Sequence, residues 1–523
     1  MSFKNISSSI KTTNFIFHFL LLNQKKQKSR RKAISIFSSH KSLRNTTRKI
    51  CISLLFAEAR RTLTNVCVGL QNLILLKISN HKNIILVTIL VFTCFSNLKS
   101  QTAIQQSQTI FDYLKTNHTE KIDALFDTLG FGKLIKAIQI DAYKKELAVL
   151  GKPKKLLAIY DEDAGCKKRT ALAIEFKKEK KLLTILFNQQ HRIENLKIMP
   201  YTETPFHILK GYKGFSEVTD LTTEVKTRDG LILGANIAFG DTSKQKSPLV
   251  ILVQGSGPSD RDETIGPNKI FRDLAQGLAQ QGVVSLRYDK RTYAYSNNLT
   301  VLNDSLTLYE ETINDALDAI NAARQFTFID TAQIYIIGHS QGAMCAPMIA
   351  ELCPKLKGIM MMAAPSKNLV DIIPEQIEYL ASLDDSISNK EQMQINSIKW
   401  MVEKIKSPTL SNKTPKTMLM GASAAYWKSV LNYNQVETAK KLTLPIFILN
   451  GERDYQVRMI EFDTWHEELN KHKNVTYQYY QKLNHLFLEG EGTPNPKEYD
   501  IPGHIPQYVI DDLVKFILNN RKH

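Results

Sequence analysis

The stretch Gly338-His339-Ser340-Gln341-Gly342 directly follows the apolar run Ile334-Tyr335-Ile336-Ile337. It fits G-x-S-x-G. A strand that ends in a tight turn and passes at once into a helix lifts the middle residue out of the fold. Glycine is needed on both sides because the backbone there is crowded and strained. A serine held that way can attack a carbonyl carbon. The bare pattern would arise by chance in roughly one chain in six of this length, so its setting has to carry the assignment.

That setting is an alternation of apolar runs and helical patterns from about residue 215 onward. Val218–Val225 and Leu231–Phe239 flank the turn Arg228-Asp229-Gly230 and read as a hairpin. Leu249–Val253 is a continuous buried-type strand, Phe271–Gln281 a helix and Gly282–Leu286 another strand. Leu356–Met362, Leu444–Leu449 and Val475–Tyr480 are further strands before a terminal helix near Val509–Leu518. Strands alternating with helices predict an α/β fold, a mostly parallel sheet covered on both faces. Active groups then gather on loops at the carboxyl ends of the strands. Residues 366–440 interrupt the alternation with helical patterns, as in Glu375–Leu383 and Ile398–Ile405. They read as a lid over the same sheet edge as the elbow; a plain structural insertion is the alternative.

Residues 102–212 read as a small α+β accessory domain. Ile122, Leu125, Phe126 and Leu129 have helical spacing, and four strand-like runs follow at 156–160, 171–176, 182–187 and 193–198. Pro200–Gly214 reads as a linker to the domain at 215–523.

The net charge of +18 suggests nucleic acid, but its distribution argues otherwise. Residues 1–82 hold sixteen Lys/Arg and one acid, Glu58. The remainder has 53 basic and 50 acidic residues and offers no basic face for a phosphate backbone. The basic segment 1–82 reads as a mis-called start or a non-structured leader. The apolar run from Asn83 to Ser96 is shorter than the ~20 residues of a membrane-spanning helix. It suits the apolar core of a secretory signal over 83–100, with Ser96–Gln101 as the cleavage region and a true start near residues 76–83. The expectation is an exported protein, periplasmic or secreted, with no stable membrane span once the signal is removed. An uncleaved membrane anchor is the alternative.

Only Cys166, Cys345 and Cys353 lie beyond the signal-like segment, and an odd number gives no disulfide framework. No Cys/His spacing resembles a metal site, and neither a metal nor a cofactor is expected.

A serine hydroxyl needs a base, and the base needs an orienting acid. In an elbow architecture the chain order is serine, acid, histidine. Asp454 follows the strand at 444–449, in Asn450-Gly-Glu-Arg-Asp-Tyr-Gln-Val457. Glu452 competes but lies two residues nearer the strand end. His485, in Lys482-Leu-Asn-His-Leu-Phe487, follows the last strand; His504 is the alternative, beside the closing helix. His339 reads as a packing residue. The tetrahedral intermediate needs backbone N–H donors. That of Gln341 stands at a helix start, where the dipole favours negative charge. A second should come from Gln254-Gly-Ser-Gly-Pro258, with Ser256 N–H the first choice and Gly257 N–H the second.

Four motifs now stand in order: Gln254-Gly-Ser-Gly-Pro-Ser-Asp-Arg-Asp-Glu-Thr264, Arg287-Tyr-Asp-Lys-Arg291, Gly338-His-Ser-Gln-Gly342 and Gly451-Glu-Arg-Asp-Tyr-Gln-Val457. Together they resemble a bacterial group of α/β-hydrolase-fold serine esterases, over about residues 215–523. That group often carries a small domain of unknown function ahead of the hydrolase, which 102–212 loosely resembles. The resemblance implies carboxylesterase activity on a small-molecule ester, with Ser340, Asp454 and His485 as a catalytic triad. Relatives usually continue the basic motif with glycines; here it reads Thr292-Tyr-Ala-Tyr-Ser296.

Asp260, Arg261, Asp262, Asp289 and Arg291 crowd two neighbouring loops. They read as an ion-pair network bracing the oxyanion loop, with a clamp for a substrate anion as the alternative. The same triad serves thioesterases, peptidases and acyltransferases. A non-catalytic binding protein that kept the fold is the remaining class.

Overall fold

The computed structural model describes residues 103–128, 130–208, 210–214, 217–243, 245–383 and 386–520. The signal-like segment at 83–100 and the basic segment before it lie outside the described residues.

The first half of the described chain pairs helices with an antiparallel sheet. Helices over 103–116, Thr119–Asp123 and Gly130–Leu150 precede four strands, β1 (Lys155–Ala164), β2 (Lys167–Glu175), β3 (Lys180–Phe187) and β4 (Ile193–Pro200). The strands pair in the order β1-β2-β3-β4. One sheet face buries Leu172, Ile174, Leu183 and Ile185 against Ile110, Leu114, Ile122 and Phe126. Side chains alternate across a strand, so Ala171, Ala173 and Leu182 turn to the opposite face.

The second half is an eight-stranded sheet. β5 (Thr219–Lys226) and β6 (Ile232–Phe239) form the hairpin at one edge. β7 (Ser247–Val253), β10 (Val284–Tyr288), β11 (Ile329–His339), β12 (Gly358–Met362), β13 (Ile446–Gly451) and β14 (Val475–Tyr480) run parallel to one another. A short hairpin of β8 (Thr264–Ile265) and β9 (Asn268–Lys269) stands apart. The order across the sheet is β14-β13-β12-β11-β7-β10-β6-β5.

Burial follows the two-residue period of a strand. Leu249, Ile251 and Val253 of β7 join one core with Ile334 and Ile336 of β11 and with the helices Asp315–Ala323 and Gln341–Leu352. Val250, Leu252, Tyr335 and Ile337 join the other, against Ile270–Gln280 and Gln507–Asn520. Continuous apolar strands are what a sheet covered on both faces requires. Cys345 is buried, and Cys353 is half-buried at the end of the helix Gln341–Leu352.

The turn between β1 and β2 seats on the chain after β10. Tyr293 donates its hydroxyl to the carbonyl of Ala164 (2.7 Å), and the Lys167 ammonium lies 4.0 Å from the centre of the Tyr293 ring. Lys167 also reaches Ser296 Oγ (3.0 Å) and pairs with Glu194. The stretch Thr292-Tyr-Ala-Tyr-Ser296 thus carries side chains that hold the smaller sheet. Among the described residues, no helix is long and apolar enough to cross a membrane.

Candidate active site

From β7 the chain runs outward to β10, then returns to β11 on the other side of β7. Loops leaving β7 and β11 therefore depart in opposite directions and leave a crevice at their carboxyl ends. Gln254–Pro258 leaves β7 there, and Ser340 leaves β11.

Ser340 has φ 53 and ψ −117, a left-handed backbone that costs a non-glycine residue about 1–3 kcal/mol. A Cβ on Gly338 would overlap the carbonyl of Gly342, and one on Gly342 would overlap the carbonyl of Val253 in β7. The two glycines thus let strand, turn and helix pack within backbone contact. Gln341 opens the helix Gln341–Leu352, so its N–H is among the first four, which have no intrahelical acceptor.

Asp454 lies in the loop after β13 with its carboxylate fully buried. Its Oδ1 accepts the N–H groups of Gln456 and Val457, both at 2.8 Å, and its Oδ2 lies 2.7 Å from Nδ1 of His485. Glu452 is exposed, which removes it as the acid. His485 follows β14; with Nδ1 taken by Asp454, Nε2 is its nitrogen left for other work. His504 is elsewhere, 3.1 Å from Asp273.

His339 extends the sequence reading. It is buried, as a packing residue would be, but it also makes a polar link that the sequence did not show. Its Nε2 meets the backbone carbonyl of His485 at 2.8 Å, and its Nδ1 lies 3.0 Å from Oε1 of Glu263. Burial would lower its pKa, but the Glu263 charge and the two hydrogen bonds outweigh burial and raise it. A ring with acceptors at both nitrogens is best satisfied as the doubly protonated cation.

Glu263 Oε1 also accepts the N–H of Gly255 at 2.7 Å, and the carbonyl of Gly255 accepts from Nζ of Lys290 at 2.8 Å. Both ends of Gly255 are therefore pinned. In a trans peptide the N–H points opposite to the preceding carbonyl, so Lys290 fixes the direction of the Ser256 N–H. A Cβ on Gly255 would lie 3.2 Å from the Cβ of Ser340, which puts this loop against the elbow.

The charged cluster braces and does not clamp. Arg261 reaches Asp289 through Nε (2.9 Å) and Nη2 (2.8 Å), and Arg287 reaches Asp262 through Nε (2.8 Å). Asp260 Oδ1 holds the turn by accepting from Thr264 N and Oγ1, both at 3.0 Å. Burial, with the Asp262 charge adding, pushes the Asp260 pKa up to about 6. Arg291 belongs to a separate group with Asp315 (2.5 Å) and Asp229 (2.8 Å). Each of these guanidinium groups is engaged by carboxylates of the chain itself.

Within 366–440 lie the helices Leu369–Ala381, Asn389–Lys406, Ala424–Leu431 and Gln435–Lys440. Tyr426 Oη lies 3.0 Å from Nε2 of Gln341, and Tyr433 donates to the carbonyl of Met344 at 2.8 Å. The insert thus meets the elbow helix directly.

Residues 268–492 match the family model described as Hydrolase_4: Serine aminopeptidase, S33. The chain is 38% identical over 271 residues to Esterase EstD of Thermotoga maritima, covering 52% of this chain and 62% of that protein. The domain has the α/β-hydrolase fold. A shorter match, 27% identical over 134 residues, is to Thiohydrolase apmlB of Arthrinium phaeospermum, covering 26% of this chain and 39% of that protein. The chain spans less than two thirds of the length of both relatives. Among solved structures, Est1E from Butyrivibrio proteoclasticus with bound ferulic acid is 17% identical with a TM-score of 0.39, covering 58% of this chain and 100% of that one.

Glu263 and Lys290 pin the loop after β7 through Gly255, and sequence reasoning gave them no role. Both stand inside quoted motifs, Gln254–Thr264 and Arg287–Arg291. The signal was a charged residue where the chain must bury itself behind an active loop.

Proposed function

We propose that the protein is a serine hydrolase that cleaves carboxylic esters through an acyl-enzyme, with Ser340, His485 and Asp454 as its triad. The observation that carries this reading is the 2.7 Å contact of buried Asp454 with His485 Nδ1, on a loop that His339 ties to the elbow. In the proposed cycle Ser340 Oγ attacks the ester carbonyl while His485 Nε2 takes its proton. Asp454 stabilises the imidazolium that forms. The N–H groups of Ser256 and Gln341 receive the oxyanion. The carbon–oxygen bond to the alcohol then breaks, and His485 returns the proton to the leaving alkoxide. Water, deprotonated by His485, attacks the acyl-enzyme and releases the acid and Ser340.

The insert at 366–440 acts as the lid of this site, and residues 102–212 form an accessory domain beside the oxyanion loop. Export rests on the signal-like segment at 83–100. Peptides from residues 1–75 in the native protein would remove the expectation of a start near 76–83.

Hydrolysis of a chromogenic short-chain ester and labelling by a fluorophosphonate test the reading together. Both should be present in the wild type and lost in Ser340→Ala. Turnover by Ser340→Ala at the wild-type rate would overturn the assignment of the nucleophile.

A further inference from the structure

Spacing along the sequence shows no metal site, yet the fold gathers one set of donors from three distant segments. His207 comes from the stretch that joins the smaller sheet to the larger one. Asp273 comes from the first turn of the helix Ile270–Gln280, and His504 from the loop before the terminal helix. His207 Nε2 lies 3.0 Å from Asp273 Oδ1, and His504 Nδ1 lies 3.1 Å from the same oxygen. The ligand atoms of the three residues all lie within 4.8 Å of one another.

The internal hydrogen bonding of this group is incomplete. Asp273 Oδ2 accepts the N–H of Ile505 at 3.1 Å and lies 3.2 Å from His504 Nδ1, while Oδ1 faces both imidazoles. His504 Nδ1 is in hydrogen-bonding geometry with both oxygens of Asp273, but His207 Nε2 is not. The His207 side chain is 1% exposed, and its Nε2 has no hydrogen bond despite its closeness to Oδ1. A buried ring nitrogen without a partner costs about 1–3 kcal/mol. Two imidazoles edge to face, with ring centres 4.8 Å apart, share one carboxylate between them.

We propose that His207, Asp273 and His504 bind a divalent transition-metal cation of the zinc type. Two imidazole nitrogens and a carboxylate oxygen are a donor set suited to that class. Tetrahedral bonds of about 2.0–2.1 Å place neighbouring ligand atoms roughly 3.3 Å apart, close to the two distances seen. His504 is 30% exposed, so the fourth position opens to water. The cation satisfies the orphaned nitrogen of His207. It also ties the connecting stretch to the helix that follows the oxyanion loop and to the carboxyl-terminal loop. It stands apart from Ser340, His485 and Asp454, so its role is to fix how the chain halves are joined.

The test uses the full chain, stripped with a chelator and titrated with Zn²⁺ against a chromogenic competitor. The expected result is one equivalent of Zn²⁺ held by the wild type, with a rise in melting temperature of about 2–5 °C. His504→Ala, the change at the most exposed ligand, and Asp273→Asn should each weaken binding at least ~10-fold. His472→Ala, at a ring bonded to the Leu442 carbonyl, should bind as the wild type does. Co²⁺ in place of Zn²⁺ should give the intense visible bands of four-coordinate geometry. A wild-type chain that holds no equivalent, or a His504→Ala chain that holds Zn²⁺ as tightly as the wild type, overturns the site. The wild-type titration stands even where a variant fails to fold, and ester hydrolysis plays no part in the readout.

Discussion

His339 Nε2 lies 2.8 Å from the carbonyl oxygen of His485, so the residue before the elbow serine holds the loop that carries the Asp454-bound imidazole. A rigid support matters because a misplacement of about 1 Å can cost 100-fold in rate. His339→Ala removes that support without touching substrate. The expected outcome is a kcat for a short-chain ester lower by about 10- to 100-fold, with KM changed little. His339→Gln keeps a donor near the same carbonyl and should recover part of the loss. Steady-state kinetics of the two variants, with circular dichroism to show that both are folded, checks the split.

The raised pKa of His339 also sets a direction for stability against pH. The folded state binds the His339 proton more tightly than the unfolded chain does. Its contribution is therefore fully present below the ordinary value of about 6.5 and is lost as pH rises through the higher folded value. Asp260 has the same sign: its folded pKa of about 6 exceeds 3.8, so its contribution is present below 3.8 and lost as pH climbs through 6. Melting temperature should thus fall from mildly acidic to mildly alkaline buffer. Glu263→Gln removes the charge that raises His339, and its melting temperature should fall less steeply above pH 6.5 than that of the wild type.

Asp454→Asn tests the acid. Asn keeps the acceptor that the N–H groups of Gln456 and Val457 use, so the loop should hold its shape. Its side-chain amide can present an N–H to His485 Nδ1, which favours the wrong tautomer. A loss of about 10⁴-fold in kcat is the size seen for such a change in triads of this kind. Fluorophosphonate labelling should slow in parallel, because it uses the same base.

The parts legible in the sequence were those fixed by local pattern. Ile334–Ile337 running into Gly338 read as strand and elbow because buried strands are apolar throughout and the turn demands glycine. The Asp454–His485 contact was legible because each residue follows a strand, Asp454 the buried β13 and His485 the half-exposed edge strand β14. The supports were not legible in the same way. Glu263, Lys290 and His339 act through pairings across 8, 35 and 146 residues, and a charged residue in a loop looks the same whether it is solvated or buried. His339 shows the consequence: it closes an apolar strand run, while its partners in space are a carboxylate and a carbonyl. His207, Asp273 and His504 converge only because the sheet order brings their segments together.

Lys290 gives the sharpest test of the oxyanion geometry. Its Nζ holds the Gly255 carbonyl at 2.8 Å and lies 3.5 Å from Oε1 of Glu311. The trans peptide transmits that hold to the Ser256 N–H on the other side. Lys290→Met keeps the length of the side chain and removes its donor. The Gly255 carbonyl is then left without this partner, which should lower stability by about 1–3 kcal/mol. Loss of a whole oxyanion donor costs about 10²- to 10³-fold in kcat. Here the Ser256 N–H persists but is no longer aimed, so a smaller loss of about 10- to 100-fold is expected. A purely structural role for Lys290 would lower the melting temperature and leave the kcat of the folded fraction unchanged. An oxyanion-positioning role lowers kcat and the fluorophosphonate labelling rate together while KM stays near the wild-type value, because both reactions pass through a charged tetrahedral oxygen that the bound ground state lacks.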